Sequence, residues 1–112
     1  MKTWVYVLDE FKPARVKAED ALRLMKEDPM RLLRLVNDLL PDMIRGARSV
    51  RVYDVYTNPH TSEALVEYIV NINAGSISVK VIVSDNPART LRDYYVYEAR
   101  TRRSGFLLGA RA

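Results

Sequence analysis

The chain has 112 residues, of which 48% are hydrophobic and 29% are charged, and its formal net charge is +4 at pH 7. This size and composition predict one folded domain, 1–112, whose apolar stretches are too short to cross a bilayer. The lack of cysteine excludes disulfides, thiolate metal sites and cysteine nucleophiles, and the lack of a secretory signal predicts a cytoplasmic protein without membrane contact.

The N-terminal half is predicted to form one strand and two helices. Aromatic and β-branched residues at 4–8 indicate a buried strand, which Pro13 should end. The apolar spacing at 18–26 indicates a first helix with one buried face. Asp28 is a natural N-cap, and Pro29 suits the first helical position, so a second helix is predicted to begin there and to be interrupted by a later proline.

The C-terminal half is predicted to form four strands. The patterns at 50–57, 63–72 and 77–83 favour strands, and the turn residues at 73–76 favour a hairpin between the last two. The tyrosine-rich segment 94–102 is predicted to be the final strand. The expected fold class is therefore α+β with the order β-α-α-β-β-β-β: an antiparallel meander sheet with two helices packed on one face and the other face open.

The excess positive charge lies in the last quarter of the chain. Residues 1–86 contain 12 basic and 12 acidic side chains, whereas six arginines follow Pro87 against only Asp93 and Glu98. Such an asymmetry favours a polyanionic partner, because phosphate contacts release counterions. The alternative is a solvated basic tail. Arginine outnumbers lysine by 13 to 5, glutamine is missing and charged residues are dense. Depletion of thermolabile residues together with many potential ion pairs is typical of proteins from thermophiles.

The sequence contains little that indicates an enzyme. The single histidine, His60, lies in a polar connector, where such a residue is far more often a surface group than a general base. The acidic pairs occur at element ends, where capping and helix-dipole effects account for them. There is no glycine-rich phosphate loop, so we expect neither catalysis nor a cofactor or metal.

Aromatic and basic residues give the candidate binding surface. Tyrosine rings beside guanidinium groups offer the stacking and charge that unpaired nucleic acid requires. On the predicted last strand, Tyr95 and Tyr97 would share one face, whereas Tyr68 has the phase of a buried residue. Many of the tyrosines could equally be structural, since tyrosine favours strands. The predicted nucleic-acid-binding residues are Arg51, Tyr53, Lys80, Arg92, Tyr95, Tyr97, Arg100, Arg102 and Arg103.

The element plan and composition of the whole chain resemble those of the ThermoDBP-related single-stranded DNA-binding proteins of hyperthermophilic archaea. The features that carry the resemblance are a basic, tyrosine-rich, cysteine-free chain with helices stacked on a four-stranded antiparallel sheet. The resemblance implies binding of single strands in a basic and aromatic-lined cleft, together with oligomerisation. We expect this chain to bind single-stranded nucleic acid without sequence specificity. No residue of that family can be matched to a position of this sequence, so it implies no particular site.

Two alternatives remain open. The order β-α-α followed by an antiparallel meander is similar to that of the RelE-like messenger-RNA interferase toxins, and that resemblance implies metal-independent RNA cleavage with Lys80, Arg51, Tyr53 and Tyr97 as candidates. The other alternative is a protein–protein assembly module that binds no nucleic acid. An open sheet face or a leucine-rich second helix would then be covered in a homo-oligomer, a dimer or larger.

Overall fold

The computed structural model describes residues 1–111, and it describes the side chains of residues 1–101. The strands are β1 (Lys2–Val7), β2 (Glu10–Ala14), β3 (Ser49–Thr57), β4 (Ala64–Ile72) and β5 (Gly75–Ser84). The helices are α1 (Ala18–Glu27), α2 (Pro29–Leu35), α3 (Asp42–Arg45) and α4 (Pro87–Arg111), with a 3-10 turn at Asn37–Leu39. One antiparallel sheet in the order β2-β1-β5-β4-β3 carries helices on its faces, which confirms the α+β class.

Strand β1 confirms the first predicted strand, but Pro13 does not end it. The chain reverses at Leu8 and Asp9, whose φ angles are 50° and 62°, and β2 pairs back onto β1 with Tyr6 opposite Phe11. Strand β2 lies at the edge of the sheet, where the missing N–H group of Pro13 can face away from the ladder. Pro13 therefore marks an edge of the sheet and not the end of β1.

Helix α2 begins as predicted. Asp28 Oδ1 accepts a hydrogen bond from the backbone nitrogen of Arg31 at 3.2 Å, and Pro29 takes the first helical position. The interruption comes earlier than predicted, because α2 already ends at Leu35, ahead of Pro41, and a 3-10 turn follows it. The further turn after Pro41 is confirmed as α3, which ends before Gly46. The capping pattern thus identifies the start of this helix correctly.

Helices α1, α2 and α3 pack on one face of the sheet, as predicted for the N-terminal helices. The sheet contributes the buried residues Val5, Val7, Ala64, Val66, Tyr68, Val70, Val79, Val81 and Val83 to this first core. Tyr68 is fully buried, as its phase in β4 indicated, and its hydroxyl donates to the carbonyl oxygen of Pro29 at 2.6 Å. That bond fastens β4 to the start of α2.

The predicted final strand is wrong, because residues 94–102 lie within the long helix α4. Asn86 Oδ1 accepts from the backbone nitrogen of Arg89 at 3.2 Å, and Pro87 is the first helical residue. Leu91 and Tyr94, three residues apart, then fall on one face of the helix and become buried. The observed order is β-β-α-α-α-β-β-β-α.

The sheet face expected to be open is covered by α4. Tyr94 is fully buried there, and its ring centroid lies 5.9 Å from that of Tyr56. This second core consists of Tyr56, Leu65, Ile82, Leu91 and Tyr94, with Trp4, Tyr6 and Phe11 packed against it. The sheet is therefore the middle of three layers.

We expect Tyr94→Ala to lower the free energy of unfolding by about 3 kcal/mol, because it empties the centre of the second core. The matched control is Tyr95→Ala, since the neighbouring ring is 45% exposed and should cost less than about 1 kcal/mol. Denaturant titration followed by circular dichroism measures both values. Equal losses would contradict the helical phase of α4.

Candidate nucleic-acid interface

Helix α4 separates the two tyrosines that the sequence placed on one face. Tyr94 points into the core, while Tyr95 is 45% exposed and Tyr97 is 36% exposed. Successive helical residues are rotated by about 100°, so these two exposed rings lie on opposite sides of Tyr94. The predicted shared face is wrong, because it required the two-residue period of a strand.

Tyr97 forms one wall of a cleft between α4 and the end of β3, which we call the Tyr56–Tyr97 cleft. Its volume is about 340 Å³. The centroids of its two rings are 5.1 Å apart, with an interplanar angle of 40°. Its lining consists of Tyr56, Pro59, Asp93, Val96, Tyr97, Arg100 and Thr101. The five lining residues from α4 recur at helical spacing, so one face of the helix forms this side of the cleft.

The arginines of α4 are in different electrostatic situations. Arg92 and Arg100 are exposed, and neither forms an ion pair with a carboxylate whose side chain is described. Arg89 is already paired, because its Nη2 lies 2.5 Å from Glu63 Oε1. Arg102 and Arg103 lie in the same helix, but their side chains fall outside the described residues.

Lys80 is enclosed and does not lie on an open face. The residue is 5% exposed, its Nζ is 3.7 Å from Glu67 Oε2, and it donates to Ser78 Oγ at 2.8 Å. The ring centroids of Tyr6 and Tyr95 lie 5.6 and 5.4 Å from its Nζ. The prediction that placed Lys80 on an uncovered face is therefore wrong, because α4 lies over that face.

Glu67 links this lysine to the buried tyrosine of α4. Its Oε1 accepts from the hydroxyl of Tyr94 at 2.7 Å, and its Oε2 accepts from Ser78 Oγ at 2.7 Å. Burial raises the pKa of the Tyr94 phenol well above its usual range, and Glu67 and Glu98 raise it further. The phenol is thus held protonated, as a donor to the carboxylate must be.

Arg51 and Tyr53 lie on the edge strand β3, where Tyr53 occupies the β-bulge between Val52 and Asp54 and Arg51 precedes it. Arg51 is exposed and Tyr53 is half-buried, with the guanidinium carbon 5.6 Å from the ring centroid. In the bulge, the backbone nitrogen of Val55 donates to Asp54 Oδ1 at 2.8 Å. Arg51 and Tyr53 thus lie beside each other on β3, whereas Arg92 and Arg100 lie on α4.

A buried carboxylate fastens the N-terminus of α4 to the sheet. Glu63 Oε2 accepts hydrogen bonds from Ser84 Oγ at 2.6 Å and from the hydroxyl of Thr90. Burial opposes ionisation of Glu63, but these hydroxyls and the charge of Arg89 outweigh it and hold its pKa below the usual value. This cluster sets where α4 begins on the sheet.

The structure adds three residues that sequence reasoning did not select: Tyr56, Glu63 and Asp93. Tyr56 and Asp93 line the cleft, and Glu63 anchors the helix that forms it. The available signal was Asn86 followed by Pro87, which reads as a helix start and not only as the end of a strand. Helical spacing from that point would have grouped Asp93 with Tyr97 and Arg100.

No metal cluster is found among the side chains described, 1–101, where no three histidine or carboxylate groups come close enough to hold an ion. His60 is exposed, and its backbone nitrogen donates to Asn58 Oδ1 at 2.8 Å in the connector between β3 and β4. None of the helices in the described part of the chain is long and apolar enough to cross a membrane.

Comparisons of the chain with protein-family models, curated proteins and solved structures find no match. The two family resemblances in element plan and composition therefore stay predictions.

We expect the protein to lose stability in acid as pH falls through the lowered pKa of Glu63. A carboxylate whose pKa is depressed by folding stabilises the native state above its unfolded pKa, and protonation removes that contribution. Glu63→Gln should cost about 1–3 kcal/mol at neutral pH and should flatten the acid limb of the stability profile.

Denaturant titrations across the acid range measure this profile. The control is Glu27→Gln, which alters an exposed ion pair with Arg23 and should cost less than about 1 kcal/mol at neutral pH. An acid limb that is equally steep in the wild type and in Glu63→Gln would contradict the assignment.

Proposed function

We propose that this protein binds single-stranded nucleic acid, largely without regard to sequence, through the outward surface of α4 and the adjoining cleft. The observation that supports this most directly is that two arginines of α4 are exposed and form no ion pair with a described carboxylate. Arg92 and Arg100 are exposed without a carboxylate partner among the described side chains, whereas Arg89 and Lys80 are paired with glutamates. Free guanidinium groups next to exposed tyrosine rings suit a phosphate backbone with unpaired bases.

The two kinds of group supply different parts of the binding free energy. Guanidinium groups contact phosphates, and the released counterions make that term strongly dependent on salt. The faces of Tyr95 and Tyr97 can accept bases, each stacked base being worth roughly 1–3 kcal/mol. Bases inside a duplex cannot reach such rings, which favours a single strand as the ligand.

The remaining predicted residues take different places in this proposal. Arg102 and Arg103 would continue the charge of α4 along its length, and Arg51 with Tyr53 would form a separate contact on β3. Lys80 is buried, so its role would be to hold the ring of Tyr95 through a cation–π contact and not to contact phosphate. That enclosure also weighs against the RNase alternative, which needs Lys80 at a reaction centre.

A second candidate function is self-assembly through the same helix. Val96 is 45% exposed and lies between Tyr95 and Tyr97, so α4 presents three consecutive exposed apolar residues. If a second copy covers them, light scattering should give a dimer that Val96→Asp converts to a monomer. A wild-type protein that is monomeric at high concentration would argue against this assembly.

We expect replacement of Arg92 and Arg100 by alanine to weaken binding of a labelled oligothymidylate at low salt. If each arginine contacts one phosphate, the slope of log affinity against log salt should become shallower by about 0.7 per residue. Fluorescence anisotropy at several salt concentrations measures both quantities.

The matched control is Arg31→Ala, because Arg31 is exposed on α2, in the helical layer on the other face of the sheet. It should leave the slope unchanged. No binding by the wild type at low salt would reject the proposed function, and equal losses in the double variant and the control would reject the surface.

A further inference from the structure

Asp93 is an unusual member of the cleft because it is acidic on a basic helix. It is half-buried, and its carboxylate makes no hydrogen bond or ion pair with any side chain described. Tyr56 and Asp93 both line the cleft. Burial raises the pKa of the Tyr56 phenol, and the charge of Asp93 raises it further. The negative charge of Asp93 would repel the phosphate backbone of a nucleic acid, so a ligand that bound only through phosphates would not suit this position.

The positions of Asp93 and Arg100 along α4 suggest how one nucleotide could lie in the cleft. The two residues are seven positions apart on the same helix face, which places them about 10 Å apart along the axis. Tyr97 lies between them along the helix and packs against Tyr56, with the two ring centroids 5.1 Å apart. Along the helix, the carboxylate of Asp93 could accept from the edge of a base, the ring of Tyr97 could stack on its face, and Arg100 could contact its phosphate.

We infer that the Tyr56–Tyr97 cleft is a subsite for one unstacked guanine of a single strand, with Asp93 accepting from the base and Arg100 contacting its phosphate. The inference rests on the proposed function and adds a base preference at one position to binding that is otherwise tolerant of sequence. The volume of about 340 Å³ accommodates one base, and the ring of Tyr97 is 36% exposed for stacking.

Guanine is favoured because of the donors on its Watson–Crick edge. A carboxylate has two acceptor oxygens and no donor, so it is best satisfied by two adjacent N–H groups. Guanine presents this pair at N1 and N2. Thymine and uracil present one N–H between two carbonyl oxygens that repel a carboxylate, while adenine and cytosine pair a single amino group with an acceptor.

The test compares oligothymidylates that carry one central guanine, hypoxanthine, adenine, cytosine or thymine, measured by anisotropy at low salt. We expect the guanine probe to bind about tenfold more tightly than the all-thymine probe. Hypoxanthine, which lacks the N2 amino group, should fall between them. This comparison needs no variant, so it does not depend on whether a substituted protein folds.

The variant Asp93→Asn should bring the ratio of guanine to thymine affinity close to one. The ratio is the readout, because removal of a negative charge alters the affinity for every probe together. Asp38→Asn is the matched control, since Asp38 is an exposed carboxylate in the 3-10 turn, away from α4. It should keep the guanine preference of the wild type.

The outcomes separate the inference from the function on which it rests. Equal affinity of the wild type for all probes would overturn the guanine subsite and leave single-strand binding intact. A guanine preference that survives in Asp93→Asn would overturn the role of Asp93. Failure of every probe to bind at low salt would reject the proposed function together with the subsite.

Discussion

The docking of α4 on the sheet through Tyr94 is the interaction on which the second core and the candidate interface depend. The ring fills the second core, and its hydroxyl donates to Glu67, which is also bound to Ser78 and paired with Lys80. A buried carboxylate and ammonium are tolerable only when their hydrogen bonds are satisfied. The tyrosine therefore both covers this polar group and supplies one of its bonds, which fixes the rotation of the helix.

The rotation of α4 decides which residues are available at the surface. With Tyr94 inward, Tyr95 and Tyr97 flank it on opposite sides, and Asp93 and Arg100 face the cleft. If α4 were rotated about its axis by one residue, roughly 100°, either Tyr95 or Asp93 would face the sheet in place of Tyr94. The residues that line the cleft would then no longer lie on its side of the helix. Both proposals for binding thus depend on a packing interaction inside the protein, and not on the surface charge alone.

The sequence predicted the elements whose signals are local and strong. Asp28 with Pro29 identified the start of α2, and the phase of Tyr68 identified a buried position on β4. Segment 94–102 was misread because tyrosines favour strands, whereas here the helix is selected by its cap at Asn86 and by burial of one face. Tertiary packing overrode the intrinsic preference.

The candidate site was harder to predict than the fold. Arg92, Tyr97 and Arg100 could be selected from composition, because basic and aromatic residues cluster in the last quarter of the chain. The cleft could not, since Tyr56 comes from a distant strand and faces Tyr97 only when α4 crosses the sheet. One error in the period of a single segment was enough to place Tyr95 and Tyr97 on the same face, whereas the helix puts them on opposite sides of Tyr94.

The bulge in β3 has a consequence for how copies of this chain can meet. Where Asp54 binds the amide of the next residue, that N–H is no longer offered to an incoming strand, and the extra residue bends the edge. At the opposite edge, Pro13 withholds another amide. Growth of the sheet from one molecule into the next is thereby disfavoured at both edges.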